Sequence, residues 1–181
     1  MLHASAIVTE AGVVAFCGSS GAGKSTLAAA FSRRQYPVWA DDALAVSPPD
    51  AAVAAFPLPF RLRIDSEAAS RLDAIVGAPA QTRSRQVQLP LRAIALLGRN
   101  ASLPTPSVRS ISSQAALLRL LEQAYCFSLS DKLRKKRLVE SFLGLASRVD
   151  TYEITYAPRF EQLPALLRSI EAAIFPESAA G

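Results

Sequence analysis

The sequence is poor in cysteine and has no long apolar run. Its two cysteines, Cys17 and Cys126, have the spacing of neither a metal site nor a redox pair. We expect two buried, reduced thiols in a cytoplasmic protein. No apolar run reaches the length that a bilayer requires, and the residues after Met1 lack the basic and small-residue features of a signal peptide. We therefore expect neither a secreted disulfide scaffold nor a membrane protein.

Acidic residues are absent between Asp73 and Glu122, whereas arginines recur there at positions 83, 85, 92, 99, 109 and 119. Such a block suits a site for a nucleotide or an acidic substrate. Arginines spread over a solvated surface would give the same sequence pattern. A tighter basic cluster at residues 132–137 lies on a predicted amphipathic helix without interleaved aromatic residues. We expect a solvated helix face there and no nucleic-acid partner.

Apolar residues make up 50% of the 181 positions and charged residues 19%. This balance is typical of a globular domain with room for a core. Repeats and linkers are not apparent, and residues 1–181 are predicted to form a single α/β domain.

A phosphate-binding loop of the type G-x-x-x-x-G-K-[ST] occupies residues 18–25. An apolar run at residues 13–17 precedes it and reads as a buried strand, and a helix is predicted from residue 24 to about 34. Strand, glycine loop and helix is the context that this motif requires. The predicted nucleotide-binding residues are Gly18, Ser19, Ser20, Gly21, Ala22, Gly23, Lys24, Ser25 and Thr26.

The chemistry of phosphate binding explains the residue types in this loop. Its glycines allow a tight turn that directs backbone N–H groups into one concavity, and the helix N-terminus adds partial positive charge. Lys24 can reach the β- and γ-phosphates of ATP, and the Ser25 hydroxyl can ligate Mg²⁺.

A pair of carboxylates, Asp41 and Asp42, follows a predicted strand at residues 38–40. A helix of about ten residues leads away from the phosphates by about 15 Å, and a short strand leads back by a similar distance. Both carboxylates should therefore lie near the phosphates, suited to a metal-water contact and a general base. Because neighbours on a strand point to opposite faces, we expect only one of them to face the nucleotide directly; a simple strand-capping pair is the alternative.

The rest of the chain predicts a mixed sheet with helices. The first strand, residues 3–9, should form a hairpin with residues 13–17. The later elements are a hairpin over residues 44–56, an edge strand over 57–64, a helix over 67–76, a mobile loop over 78–90, a strand over 91–97, helices over 113–127 and 131–149, a strand over 152–156 and a closing helix over 160–174.

Two large classes of P-loop protein do not fit. The later apolar strand ends in Leu97-Gly98-Arg99-Asn100 without the acidic residue of an ABC-type ATPase, and the segment Ser110-Ile-Ser-Ser-Gln114 lacks that family's signature glycines. The guanine-binding string N-K-x-D of GTPases does not occur.

The arrangement His3-Ala-Ser-Ala, hairpin, P-loop, helix and Trp39-Ala-Asp-Asp42 resembles the catalytic domain of HPr kinase/phosphorylase and related P-loop kinases. In that family a histidine opens the first strand about fifteen residues before the loop, as here, and Ala-Asp-Asp follows the P-loop helix. The resemblance is specific over residues 3–46 and general beyond them.

The resemblance implies an ATP- and Mg²⁺-dependent kinase that acts on a serine of a small protein or peptide and that can assemble into homo-oligomers. It implies that Asp42 accepts the proton of the acceptor hydroxyl, that Asp41 supports it and that His3 tunes it, while Lys24 holds phosphate. The family's glutamate-and-glycine signature and its arginine-containing Pro-Gly loop are not recognisable. A nucleotide-binding regulatory module without catalysis is therefore the alternative hypothesis.

Overall fold

The computed structural model describes residues 1–48, 52–56, 58–77, 88–124 and 131–175. The expected α/β class with a mixed sheet is confirmed, since parallel and antiparallel strands share one sheet. That residues 1–181 form one domain remains a prediction. The strands are β1 Ala4–Thr9, β2 Gly12–Cys17, β3 Val38–Ala40, β4 Ala45–Val46, β5 Ala54–Phe56, β6 Leu89–Arg99, β7 Ser107–Ser110 and β8 Asp150–Tyr156. The helices are α1 Lys24–Arg33, α2 Ser66–Val76, α3 Ser113–Leu121, α4 Lys132–Arg148 and α5 Leu163–Ile174.

The centre of the sheet consists of three parallel strands, with β6 between β2 and β8. β1 runs antiparallel to β2, and β3 runs antiparallel to β1. The carboxyl ends of β2, β3, β6 and β8 therefore lie at one edge of the sheet, together with the amino end of β1. In open α/β sheets this is the edge where ligands bind.

Two apolar layers cover the sheet, because successive strand residues point to opposite faces. On β2, Ala15 and Cys17 pack in the layer that contains α3 and α4. Val14 and Phe16 pack in the other layer, against α1 and α5, where Phe16 stacks on Phe31 with ring centroids 5.6 Å apart. The P-loop helix is thereby anchored to the strand that precedes the loop.

The first half of the chain follows the predictions closely. The β1–β2 and β4–β5 hairpins, α1, β3 and α2 form where they were predicted. The predicted edge strand over residues 57–64 is wrong: residues 58–64 pair with no strand of the described chain. The alternation of apolar and basic residues in this segment has another cause, since Phe60, Leu62 and Ile64 pack against the α1–α5 layer.

Several later elements also differ from the predictions. β6 begins at Leu89, so residues 89–90 are strand rather than loop, and residues 78–87 of the predicted loop lie outside the described residues. The four-residue strand β7 was missed because Val108 is its only apolar residue. α3 ends at Leu121 instead of extending to residue 127; residues 125–127 lie outside the described residues.

No helix in the described parts of the chain is long and apolar enough to cross a membrane.

Candidate functional site

The P-loop connects Cys17 to α1 at the carboxyl edge of the sheet. Gly23 precedes the helix with φ 96°, a left-handed conformation that glycine adopts without strain. A Cβ atom at this position would clash with the Tyr156 hydroxyl. Glycine is therefore required at residue 23 both for its backbone conformation and for space.

Lys24 is buried beneath the loop, and its Nζ donates hydrogen bonds to the carbonyl oxygens of Gly18 (2.9 Å) and Ser19 (3.2 Å). Burial lowers the pKa of Lys24, against the opposing effect of Asp41 and Asp42. The P-loop thus holds the ammonium group in place, next to the position where phosphate would bind.

Asp41 is a buried carboxylate that accepts hydrogen bonds from three donors. It is only 5% exposed. Its Oδ1 accepts hydrogen bonds from the hydroxyls of Ser25 (2.8 Å) and Ser5 (2.6 Å), and its Oδ2 accepts one from the backbone N–H of Arg63 (2.9 Å). Three donors from three segments therefore fix this carboxylate against the P-loop serine.

Asp42, the next residue, has a left-handed backbone conformation with φ 72°, and its side chain is 54% exposed. Its Oδ1 lies 3.6 Å from His3 Nε2. Burial and the Lys24 charge lower the pKa of His3, while the two aspartates oppose them, so the imidazole is neutral at pH 7. The pair at the mouth of the site is thus a carboxylate beside a neutral histidine.

These side chains surround a cavity of about 400 Å³, which we call the phosphate cavity. The lining residues are His3, Ser20, Gly21, Gly23, Lys24, Ser25, Thr26, Asp41, Asp42, Arg63, Asp65 and Arg99. Both aspartates line this cavity, and the strand ends at Ala40, so strand alternation does not apply to residues 41 and 42. That only one of them faces the nucleotide directly stays a prediction. Gly18, Ser19 and Ala22 belong to the loop but do not line this cavity.

Several residues of the site were not predicted as such. Arg99 ends β6 and reaches both the loop and the cavity; it was counted only within the arginine-rich block. Its position at the carboxyl end of a strand next to β2 was the available signal. The other described arginines of that block, at 92, 109 and 119, form ion pairs with Asp150 or Glu153, and residues 83 and 85 lie outside the described residues.

Two polar contacts from distant segments hold the loop itself. The Tyr156 hydroxyl donates a hydrogen bond to the carbonyl of Ala22, and the Gln123 side-chain oxygen accepts one from the N–H of Gly18 at 3.1 Å. Burial raises the pKa of Tyr156, against the opposing effect of Arg99, so that its hydroxyl remains a donor. Cys17 is buried with its pKa raised to about 12, as expected for an inert thiol, whereas Cys126 lies outside the described residues.

The Tyr156→Phe variant tests the first of these contacts. We expect it to lower the free energy of unfolding by about 1–2 kcal/mol, because the buried Ala22 carbonyl loses its donor. Urea denaturation measures the change. Tyr152→Phe on the same strand is the control and should stay within about 0.5 kcal/mol. Equal losses in the two variants would show that the Tyr156 hydroxyl does not hold the loop.

The donor set fits a magnesium–phosphate complex. Mg²⁺ in phosphate sites commonly keeps several waters and takes one or two protein oxygens besides the phosphate oxygens. The Ser25 hydroxyl and the Asp41 carboxylate hydrogen-bonded to it provide such oxygens beside the cavity. No cluster of three or more His, Cys, Asp or Glu side chains suited to a metal occurs among the described residues.

Comparison with known proteins gives a similar solved structure. No protein-family model matches the chain, and no curated protein matches it. Among solved structures, the chain is similar to the HPr(Ser) kinase/phosphatase from Coxiella burnetii, with 14% identity over 96% of this chain and 97% of that chain and a TM-score of 0.45. A likeness at this level does not show a shared activity, and membership of that family remains a prediction.

Proposed function

We propose that this protein is an ATP- and Mg²⁺-dependent kinase that transfers the γ-phosphate to a hydroxyl group, a serine of a small protein or peptide. The observation that carries the proposal is the pair of carboxylates at one phosphate cavity. Asp41 is fixed on Ser25, whereas Asp42 is exposed beside His3. A module that only binds nucleotide has no need for the second carboxylate. Phosphoryl transfer to a hydroxyl uses one carboxylate beside the metal and another as the general base.

In this proposal the loop and Lys24 bind the phosphates. Bound Mg²⁺ would neutralise developing charge on the transferred group. The Ser25 hydroxyl would hold the Mg²⁺ ion, and Asp41, which accepts a hydrogen bond from that hydroxyl, orients it and places negative charge beside it. Such positioning and charge neutralisation provide most of the catalysis in phosphoryl transfer.

Asp42 takes the proton of the acceptor hydroxyl in this proposal. Its exposed carboxylate lies at the mouth of the cavity, where an acceptor side chain can enter. A general base must come within hydrogen-bonding distance of the proton that it removes. The neutral His3 ring at 3.6 Å can orient the Asp42 carboxylate without adding a second charge.

The experiment that tests the proposal follows labelled phosphate from ATP to candidate serine-bearing proteins and peptides, with Mg²⁺. We expect transfer by the native chain. Lys24→Ala should weaken ATP binding about ten- to a hundredfold, because a charge-assisted contact to phosphate is lost. Lys132→Ala on α4, whose side chain is exposed, is the matched control and should behave as native.

Tight, Lys24-dependent ATP binding without transfer to any acceptor would instead support the regulatory module. Cytoplasmic location, the lack of a nucleic-acid partner and assembly into homo-oligomers remain predictions.

A further inference from the structure

The β1–β2 hairpin stops at the point where the two halves of the candidate site begin. The last pair of its ladder is Ala4 and Cys17. Beyond this pair, His3 precedes β1 and carries the imidazole beside Asp42, whereas Gly18 follows β2 and begins the P-loop. Because the chain leaves the sheet at Gly18, the ladder cannot continue, and the backbone N–H groups of His3 and Gly18 need acceptors from elsewhere in the fold.

Gln123, in the turn that follows α3, provides both acceptors. Its backbone carbonyl accepts a hydrogen bond from the His3 N–H at 2.8 Å, and its side-chain Oε1 accepts one from the Gly18 N–H at 3.1 Å. The Gly18 N–H fixes the orientation of the amide, because only the oxygen end of that group can accept. One residue therefore spans the gap between the strand that carries His3 and the loop that would bind phosphate.

The same turn is connected to the backbone near Asp42. Leu2 forms antiparallel bridges with both Ala124 and Leu44, and its N–H and carbonyl groups each form a hydrogen bond of 2.9 Å with Leu44. Leu44 lies two residues beyond Asp42, whose Oδ1 is 3.6 Å from His3 Nε2. The turn after α3 is thus connected to the chain on both sides of the His3–Asp42 pair.

We propose that Gln123 is a positioning residue for phosphoryl transfer: it fixes the distance between the P-loop and the His3–Asp42 pair. This inference rests on the proposed function, in which the loop holds ATP and Asp42 accepts the proton. Reacting groups must approach to about 3–3.5 Å, and a displacement of about 1 Å can cost a hundredfold in rate. Gly18 does not line the phosphate cavity, and its N–H is directed at Gln123. Loss of this contact therefore acts on the transfer step and not on nucleotide binding.

Variants of Gln123 test the proposal. Gln123→Met removes the acceptor while keeping an unbranched side chain of similar length, and Gln123→Glu keeps an oxygen for the Gly18 N–H. Gln114→Met, at an exposed position of α3, is the matched control. Single-turnover transfer is measured at saturating ATP and Mg²⁺, and the affinity for ADP is measured by titration calorimetry.

We expect Gln123→Met to slow transfer about tenfold or more, while its affinity for ADP stays within about threefold of native. Gln123→Glu should recover transfer to within about threefold of the native rate, because the Gly18 N–H regains its acceptor. Gln114→Met should behave as native. A side chain that merely supports the fold would lower binding and transfer together and would not be replaced by glutamate.

A second measurement reports the distance itself and needs no acceptor substrate. His3 is the only histidine of the chain, so its ring C–H signals in the NMR spectrum need no further assignment. Mn²⁺ takes the same oxygen ligands as Mg²⁺, and Mn²⁺–ADP in the P-loop relaxes these protons with the inverse sixth power of their distance from the metal. For a displacement of about 1 Å, the relaxation rate in Gln123→Met should differ from native by about a factor of two. Gln114→Met should leave it unchanged.

Transfer by Gln123→Met within about threefold of the native rate, or relaxation of the His3 signals equal to native, would overturn the positioning role. A loss of ADP affinity as large as the loss of transfer would overturn it as well, because Gln123 would then act on binding. Should Gln123→Met fail to fold, Gln123→Asn takes its place: its shorter amide does not reach Gly18, so it should show the same loss of transfer with ADP binding retained.

Failure of the proposed function is distinguishable from failure of this inference. If the native chain binds Mn²⁺–ADP but transfers phosphate to no acceptor, the proposed function fails. The His3 relaxation then decides alone: a twofold change in Gln123→Met supports the fixed distance, and an unchanged rate refutes it. If the native chain does not bind Mn²⁺–ADP, the proposed function and the inference fail together.

Discussion

Replacement of Asp41 by asparagine should leave the chain folded and lower Mg²⁺-dependent phosphoryl transfer by about a hundredfold or more, the range seen when one preorganised electrostatic contact is removed. Asparagine has nearly the same shape as aspartate. Its oxygen can accept from the Arg63 N–H, and its amide N–H groups can donate to the Ser5 and Ser25 hydroxyls after these rotate. What the variant loses is the negative charge beside Ser25.

The measurement is the rate of transfer as a function of Mg²⁺ concentration, together with the denaturation midpoint. Asp41→Ala is the companion variant: it leaves the three donors without their acceptor and should lower the free energy of unfolding by about 2–4 kcal/mol. Asp73→Asn, a change at an exposed carboxylate paired with Arg33, controls for loss of a surface charge. Transfer by Asp41→Asn within about threefold of the native rate would contradict the assigned role.

The core of the candidate site was predictable because its parts are close in sequence. The loop motif, the β1–β2 hairpin and the return of β3 to the P-loop follow from local patterns over residues 3–42. Periodicity and glycine placement determine such elements without knowledge of distant segments. The same local reasoning placed both aspartates near the P-loop, where they line the cavity.

The different surroundings of Asp41 and Asp42 were not predictable from local patterns. They depend on the left-handed backbone at Asp42 and on the Arg63 N–H, which comes from a segment mistaken for a strand. The loop contacts of Gln123 and Tyr156 span 105 and 134 residues of sequence. Patterns within a window of ten to twenty residues carry no information on such pairs, because only the packing of the sheet edge brings them together.

Asp42→Asn should abolish most of the transfer and leave nucleotide binding intact. Loss of a general base typically costs about 10²–10⁴ in rate. Asparagine is the suitable replacement, because it tolerates the left-handed conformation with φ 72° and keeps the shape of the side chain. Single-turnover transfer and ADP titration, measured on the same preparation, separate the chemical step from binding.

Asp42→Gly separates a catalytic role from a structural one. Glycine adopts a positive φ without the strain that other residues incur there, so its stability should equal or exceed that of the native chain. Its transfer rate should nevertheless fall as far as that of Asp42→Asn. Stability and activity would then change independently, which damage to the fold cannot produce. Transfer by both variants within about threefold of the native rate would remove Asp42 from the mechanism, and with it the main argument against a module that only binds nucleotide.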